Sequence, residues 1–125
     1  GAVGDGITDV SYTPNSYEIC VVSRGLAYLV DVRDPSAWRA VSSVPVKHLI
    51  QLPQCGALVF GDDTDLVAYG GEGQLWRSER IALSGFCVTN VTRATISGAY
   101  YDAAYEEDRR FVVDANSGEV RRFDV

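Results

Sequence analysis

Asp62, Asp63 and Asp65 put three carboxylates into four consecutive positions, in the run Gly61-Asp-Asp-Thr-Asp65. Crowded oxygen ligands of this kind can hold a hard cation such as calcium, which makes Asp62, Asp63 and Asp65 the candidate metal ligands. Their order departs from the D-x-D-x-D-G spacing of a calcium loop, and the plainer reading is an acidic turn. The sole histidine, His48, lies in Val46-Lys-His-Leu-Ile50 and is the side chain best suited to proton transfer near neutral pH. A small acid/base hydrolase would use His48 with Asp62, Asp63 or Asp65, and it requires those groups to meet within hydrogen-bond reach. Cys20, Cys55 and Cys87 are odd in number and lack CxxC spacing. That pattern reads as reduced, buried cysteines rather than a disulfide framework, a zinc site or a Cys-His dyad. Aromatic side chains offer a different chemistry. Tyr100, Tyr101, Tyr105 and Trp76 are the candidate ligand-binding residues, because stacking faces and hydroxyl groups line sugar and peptide grooves. Trp38 and Trp76 occupy equivalent places in two repeats, where tryptophans more often pack between sheets. No nucleophile, base and orienting group fall together, so the expectation is a protein without catalytic activity or cofactor.

The elements that must position these residues repeat three times. Tyr17-Glu-Ile-Cys-Val-Val22, a turn at Ser23-Arg24-Gly25 and Leu26-Ala-Tyr-Leu-Val-Asp-Val32 begin the first copy, which closes with Ala37-Trp-Arg-Ala-Val41. Ala57-Leu-Val-Phe-Gly61, Asp65-Leu-Val-Ala-Tyr69 and Gln74-Leu-Trp-Arg77 form the second. Tyr100-Tyr-Asp-Ala-Ala-Tyr105, Arg109-Arg-Phe-Val-Val-Asp114 and Glu119-Val-Arg-Arg-Phe123 form the third. An opening strand fits each copy, at Thr8 to Tyr12, Val46 to Leu52 and within Phe86 to Ile96. Short runs of Val, Ile, Leu, Tyr and Phe bounded by Gly, Pro, Asn and Asp are strand signals. The middle strands start roughly 40 residues apart, the period of a four-stranded propeller blade. The best helical stretch is Asp102 to Arg110, through Ala103, Ala104, Glu106 and Glu107, but its place in the repeat predicts a hairpin. The expected fold is therefore all-β: one domain over residues 1–125, with antiparallel, hairpin-connected, blade-like repeats at about 8–41, 46–78 and 86–124. A β-trefoil or a β-sandwich is the alternative.

Composition narrows the function classes. A chain of 125 residues with 46% hydrophobic and 22% charged residues is long enough to bury a core without metal or disulfide staples. A net charge of −6 argues against nucleic acid as a partner. The basic pairs Arg109-Arg110 and Arg121-Arg122 sit beside carboxylates and read as salt-bridged faces. No apolar run approaches the ~20 residues of a membrane-spanning helix. The reading is a soluble, cytoplasmic protein with no membrane partner. Gly1 to Gly6 look like a processed or tag-trimmed lead-in, and a signal peptide removed upstream of Gly1 would leave no trace.

Leu26-Ala-Tyr-Leu-Val-Asp-Val-Arg-Asp-Pro35 resembles the blade motif of bacterial β-propellers, in which a strand ending in Val-Asp precedes Asp-Pro. Phe111-Val-Val-Asp-Ala-Asn-Ser-Gly-Glu-Val120 is similar to the strand and turn of quinoprotein-type blades. The tryptophan docking motif of that group is not matched, so its quinone cofactor and dehydrogenase activity are not implied. Gly73 to Ile81 and Asp114 to Gly118 resemble small bacterial all-β proteins of unassigned function. Gln74-Leu75-Trp76 resembles the Gln-x-Trp element of sugar-binding trefoils, once rather than three times. What these resemblances imply is a propeller-like bacterial protein.

Three blades are fewer than the four to eight of a closed ring, so two faces are left open. A homodimer, joining two chains into six blades, would cover them. The leading functional expectation is a non-catalytic module that binds a protein or small ligand through loops at one end of the repeats. A carbohydrate-binding trefoil is the alternative, and the hydrolase ranks last.

Overall fold

The computed structural model describes residues 9–13, 16–34, 36–42, 45–71 and 73–124. Its strands fall into three four-stranded antiparallel sheets, one per repeat, each in plain sequence order. Sheet one holds β1 (Asp9–Tyr12), β2 (Glu18–Ser23), β3 (Leu26–Asp31) and β4 (Trp38–Ala40). Sheet two holds β5 (His48–Leu52), β6 (Ala57–Gly61), β7 (Leu66–Gly70) and β8 (Gly73–Arg77), with a 3-10 turn at Pro53–Cys55 between β5 and β6. Sheet three holds β9 (Phe86–Val91), β10 (Thr95–Asp102), β11 (Glu107–Asp114) and β12 (Val120–Asp124). Thr8, Pro35 and Glu72, which belong to expected strands or turns, lie outside the described residues. The stretch from Asp102 to Arg110 is a hairpin: Asp102 ends β10, Ala103 to Glu106 turn, and Glu107 opens β11.

This order overturns the trefoil and the sandwich. A trefoil would pair strands of different repeats around one barrel, and a sandwich would need two facing sheets. Every ladder among the described residues stays within its own repeat, and there are three sheets. The fold is three blade-like repeats.

Strand alternation sorts side chains into a front face, turned toward the preceding sheet, and a back face, turned toward the following one. Cys20, Val22, Ala27 and Leu29 on the back of sheet one meet Leu58, Phe60, Val67 and Tyr69 on the front of sheet two. Ala57, Val59, Leu66, Ala68 and Trp76 on the back of sheet two meet Ile96, Tyr100, Phe111 and Val113 on the front of sheet three. Sheet two is therefore apolar on both faces, and all of β6 and β7 is buried. That explains why these two strands read as continuous Ala-Leu-Val-Phe and Leu-Val-Ala-Tyr runs instead of alternating ones. Arg39 ties the first two sheets together at the rim, donating to the Gly70 carbonyl at 2.8 Å and to Glu18 at 3.2 Å, with its guanidinium 5.9 Å from the Tyr69 ring.

Two glycines are there for space. A Cβ on Gly98 would lie 1.8 Å from the Cys87 carbonyl oxygen and 2.8 Å from the Phe111 ring. The ladder to β9 shifts register at Ser97/Gly98, so the backbones close up where a side chain would stand. Gly118 combines φ of +78° with a Cβ site 2.5 Å from Trp76.

Two expectations need correction. Cys20 is buried, and burial, with the charges of Glu18 and Asp9, pushes its thiol up to about 12. Cys55 is half-buried, whereas Cys87 is exposed: Phe86 turns inward, so its neighbour turns out. Trp38 and Trp76 are not in equivalent places. Trp38 pairs with Val30 and stands exposed on the front of sheet one, while Trp76 pairs with Ala68 and is buried. A register shift between Ala68 and Tyr69 accommodates the offset in β8.

Candidate functional site

The β2–β3, β6–β7 and β10–β11 turns lie at one end of the three sheets, together with the crossovers that join the sheets. Val46 in the first crossover donates to the Gly25 carbonyl at 2.7 Å, and Ile81 in the second donates to the Thr64 carbonyl at 2.6 Å. Both crossovers are thus bonded onto a hairpin turn of the sheet they leave.

The acidic loop Asp62 to Asp65 is spent on holding this end together. One oxygen of Asp62 accepts from the Thr64 amide at 2.8 Å, the Thr64 hydroxyl at 3.0 Å and the Asp65 amide at 2.9 Å. Burial pushes the Asp62 carboxyl up, but these hydrogen bonds outweigh it and leave the group below the usual carboxylate range. Asp63 pairs with Lys47 at 3.0 Å and Asp65 with Arg77 at 3.1 Å. Burial, helped by the charge of Asp62, raises Asp65. Among the described residues no group of three His, Cys, Asp or Glu side chains is placed to hold a metal ion. The three carboxylates crowd in sequence but turn to different partners.

His48 opens β5 and stacks on Phe86, with ring centroids 4.5 Å apart and planes 16° from parallel. Burial is the main reason its pKa is lowered, against a hydrogen bond to the Phe86 backbone and the charges of Asp63 and Asp62. Those aspartates act on the ring as nearby charges, and their own hydrogen bonds and ion pairs are made within the loop and to Lys47.

The aromatic candidates divide by strand alternation. Trp76 is 7% exposed, and its indole N–H donates to the Ala115 carbonyl at 3.0 Å. Tyr100 is buried on the front of sheet three. Neither presents a ring face to solvent. Tyr101 and Tyr105 are 57% and 68% exposed on the β10–β11 hairpin. Beside them runs a shallow cleft of about 210 Å³ between this hairpin and the second crossover, lined by Arg80, Leu83, Tyr101, Asp102 and Arg122, with Tyr100 among its walls. Leu83 stands on its rim, 67% exposed.

Charged groups brace the cleft. Arg109 lies under the Tyr105 ring, 4.5 Å from its centroid, and pairs with Asp102 at 2.9 Å and Glu107 at 3.2 Å. Arg122 pairs with Glu79 at 3.3 Å and donates to the Arg80 carbonyl. Three exposed large apolar side chains, Leu83, Tyr101 and Tyr105, thus share one end of the molecule with a rim of arginines. Leu83 was not singled out from sequence. Its signal was there in Ile81-Ala-Leu-Ser-Gly85, an apolar stretch in a crossover with no strand to bury it.

No known family model matches the chain, and no curated protein does. Among solved structures it is similar to the N-terminal domain of Nup159, with a TM-score of 0.54 and 18% identity, covering 94% of this chain and 30% of that one. A chain in the S. cerevisiae assembly of Dbp5 bound to Nup159, Gle1, IP6 and ADP gives a TM-score of 0.51 and 20% identity, again covering 94% and 30%. PorZ, a bacterial surface component of the type-IX secretion system of Porphyromonas gingivalis, gives 0.51 and 18%, covering 99% of this chain and 16% of PorZ. At such identities the likeness speaks for the propeller-like fold. Among the described residues no helix is long and apolar enough to cross a membrane.

Proposed function

We propose that this chain is a non-catalytic interaction module that binds a protein segment at its loop end, in the cleft flanked by Leu83, Tyr101 and Tyr105. One observation carries this reading: exposed Leu83 and Tyr101 line one cleft together with Arg80 and Arg122, and Tyr105 stands exposed on the same hairpin as Tyr101. Exposed tyrosine and arginine are the side chains that dominate protein interfaces, because they bury much area for little lost freedom. The acidic loop lends the site rigidity. Its bonds to the second crossover at Ile81 and Ala82 fix the segment that carries Leu83. The S. cerevisiae assembly in which Dbp5 is bound to Nup159 supports the reading as a precedent, at the level of fold, for a body of this kind taking a protein partner.

Selection of a random peptide display library on the immobilised chain tests it. The expected result is a set of peptides whose binding weakens at least about tenfold when Leu83, Tyr101 and Tyr105 are all changed to alanine, each anchor being worth more than ~1 kcal/mol. The substituted positions are exposed, so the thermal transition should move little. Peptides that bind the triple variant as tightly as the parent, or a library that yields none, would overturn the proposal.

A further inference from the structure

The two internal interfaces follow one rule, and the molecule's two outer faces each satisfy half of it. Aligning the sheets by their ladders, with Cys20↔Leu29, Val59↔Ala68 and Ser97↔Val112 in register, gives four central positions per face. The buried front faces are bulky and carry rings: Leu58, Phe60, Val67 and Tyr69 in sheet two; Ile96, Phe111 and Val113, with Gly98 at the bulge, in sheet three. The buried back faces are smaller and carry no ring at these positions: Cys20, Val22, Ala27 and Leu29 in sheet one; Val59, Gly61, Leu66 and Ala68 in sheet two.

Among the described residues no sheet covers the front face of sheet one, yet it has the bulky composition. Ile19, Val21, Tyr28 and Val30 occupy the four central positions, and Tyr12 and Trp38 flank them in the open, Trp38 edge-on to Tyr28 at 5.5 Å. Among the described residues no sheet covers the back face of sheet three, yet it has the smaller composition: Ser97, Ala99 and Val112, with Arg110 the one long side chain at the fourth position. Two open troughs, of about 600 and 530 Å³, cross this face and meet at Ala99 and Arg110. The rim agrees. Arg39 reaches Gly70 across the first internal interface, and the matching positions are Arg121 on sheet three and Asp31 on sheet one. The Asp31 carboxylate is itself paired with Arg33 at 3.0 Å, so the match is one of strand position, an arginine on one sheet facing the end of β3 on the other.

We infer that a second copy of this chain covers these faces, the front of sheet one in each copy seating on the back of sheet three in the other, so that two chains close a six-sheet ring. The ring is two-fold symmetric and both open faces of each chain are used once. Six sheets fall within the size range of propellers. Tyr28 and its neighbours fill the troughs over Ala99 as Phe60 and Tyr69 fill the back of sheet one. Arg121 comes opposite the end of β3 in the second copy, as Arg39 meets the end of β7 at Gly70.

Mixing two variants tests the polarity as well as the pairing. Tyr28→Arg spoils only the front of sheet one and Ala99→Arg only the back of sheet three, and both positions lie off the internal core. The unsubstituted chain should scatter light as twice 13.6 kDa over a concentration series. Each variant alone should scatter as a single chain with an unchanged circular dichroism spectrum. An equimolar mixture should recover heterodimer, because one sound front face still finds one sound back face. A single-chain mass for the parent, growth beyond two chains, a variant that dimerises alone, or no recovery on mixing would each overturn the inference. A variant with an altered spectrum would be replaced by Val21→Arg or Val112→Arg, which carry the same expectation.

Discussion

At His48 a ring that is ordinarily half-charged near pH 6.5 is stacked on Phe86 and half-buried. Burial pulls its pKa down, and the Phe86 backbone acceptor and the charges of Asp63 and Asp62 only partly restore it. The folded state therefore binds this proton less readily than the unfolded chain does. The contribution of neutral His48 to stability is complete above the unfolded value near 6.5 and is lost as the pH falls through the lowered folded value. The urea midpoint should accordingly drop as the pH falls below 6.5, and His48→Gln should flatten that slope while changing the stability at pH 8 by no more than about 1 kcal/mol. An unchanged slope in the variant would assign the acid sensitivity to the carboxylates instead. Cys20 shows the same desolvation acting on a thiol, which is held protonated and behaves as part of the core.

The turn between β6 and β7 is the element most dependent on one side chain, since Asp62 accepts three hydrogen bonds within the loop. Asp62→Ala removes them and should cost about 1–2 kcal/mol, read as a fall in the denaturation midpoint at pH 7. Its carboxyl is lowered, so this stabilisation is present above 3.8 and disappears as the pH falls through the folded value, a window below that of His48. The stability gap between the variant and its parent should narrow as the pH falls below 3.8. Hairpins of this kind were legible in sequence: short β-branched and aromatic runs set the strands, and Gly, Asp and Asn set the turns. Facing was less legible. Tyr100 and Tyr101 are chemically alike and adjacent, so period-two alternation puts one inside and one outside without saying which, and the answer comes from the unbroken β10–β11 ladder that turns Ile96, Gly98 and Tyr100 inward together. The one-residue offset between Trp38 and Trp76 is likewise invisible, because it depends on an irregular ladder at Ala68/Tyr69. Carboxylate crowding at Asp62 to Asp65 was plain, but the partners that occupy each group, Lys47 and Arg77, come from the first crossover and from β8.

Among the described residues the core comes in two clusters with no residue in common, one between sheets one and two and one between sheets two and three. Sheet two belongs to both, while the described cores of sheets one and three have no shared cluster. Such a chain should behave as a short stack of neighbouring units rather than as one indivisible body. Phe60→Leu loosens only the first cluster and Phe111→Leu only the second, each by roughly 1–2 kcal/mol. Amide exchange should then quicken in β2 and β3 more than in β10 and β11 for the first variant, and in the reverse order for the second. Amides of β6 and β7 should respond to both. Carried out on a Tyr28→Arg background, where the proposed second copy is removed, the comparison reads the isolated chain. Equal quickening of all three sheets in either variant would mean that sheet two transmits the loss rigidly, and that the three repeats open as one cooperative unit.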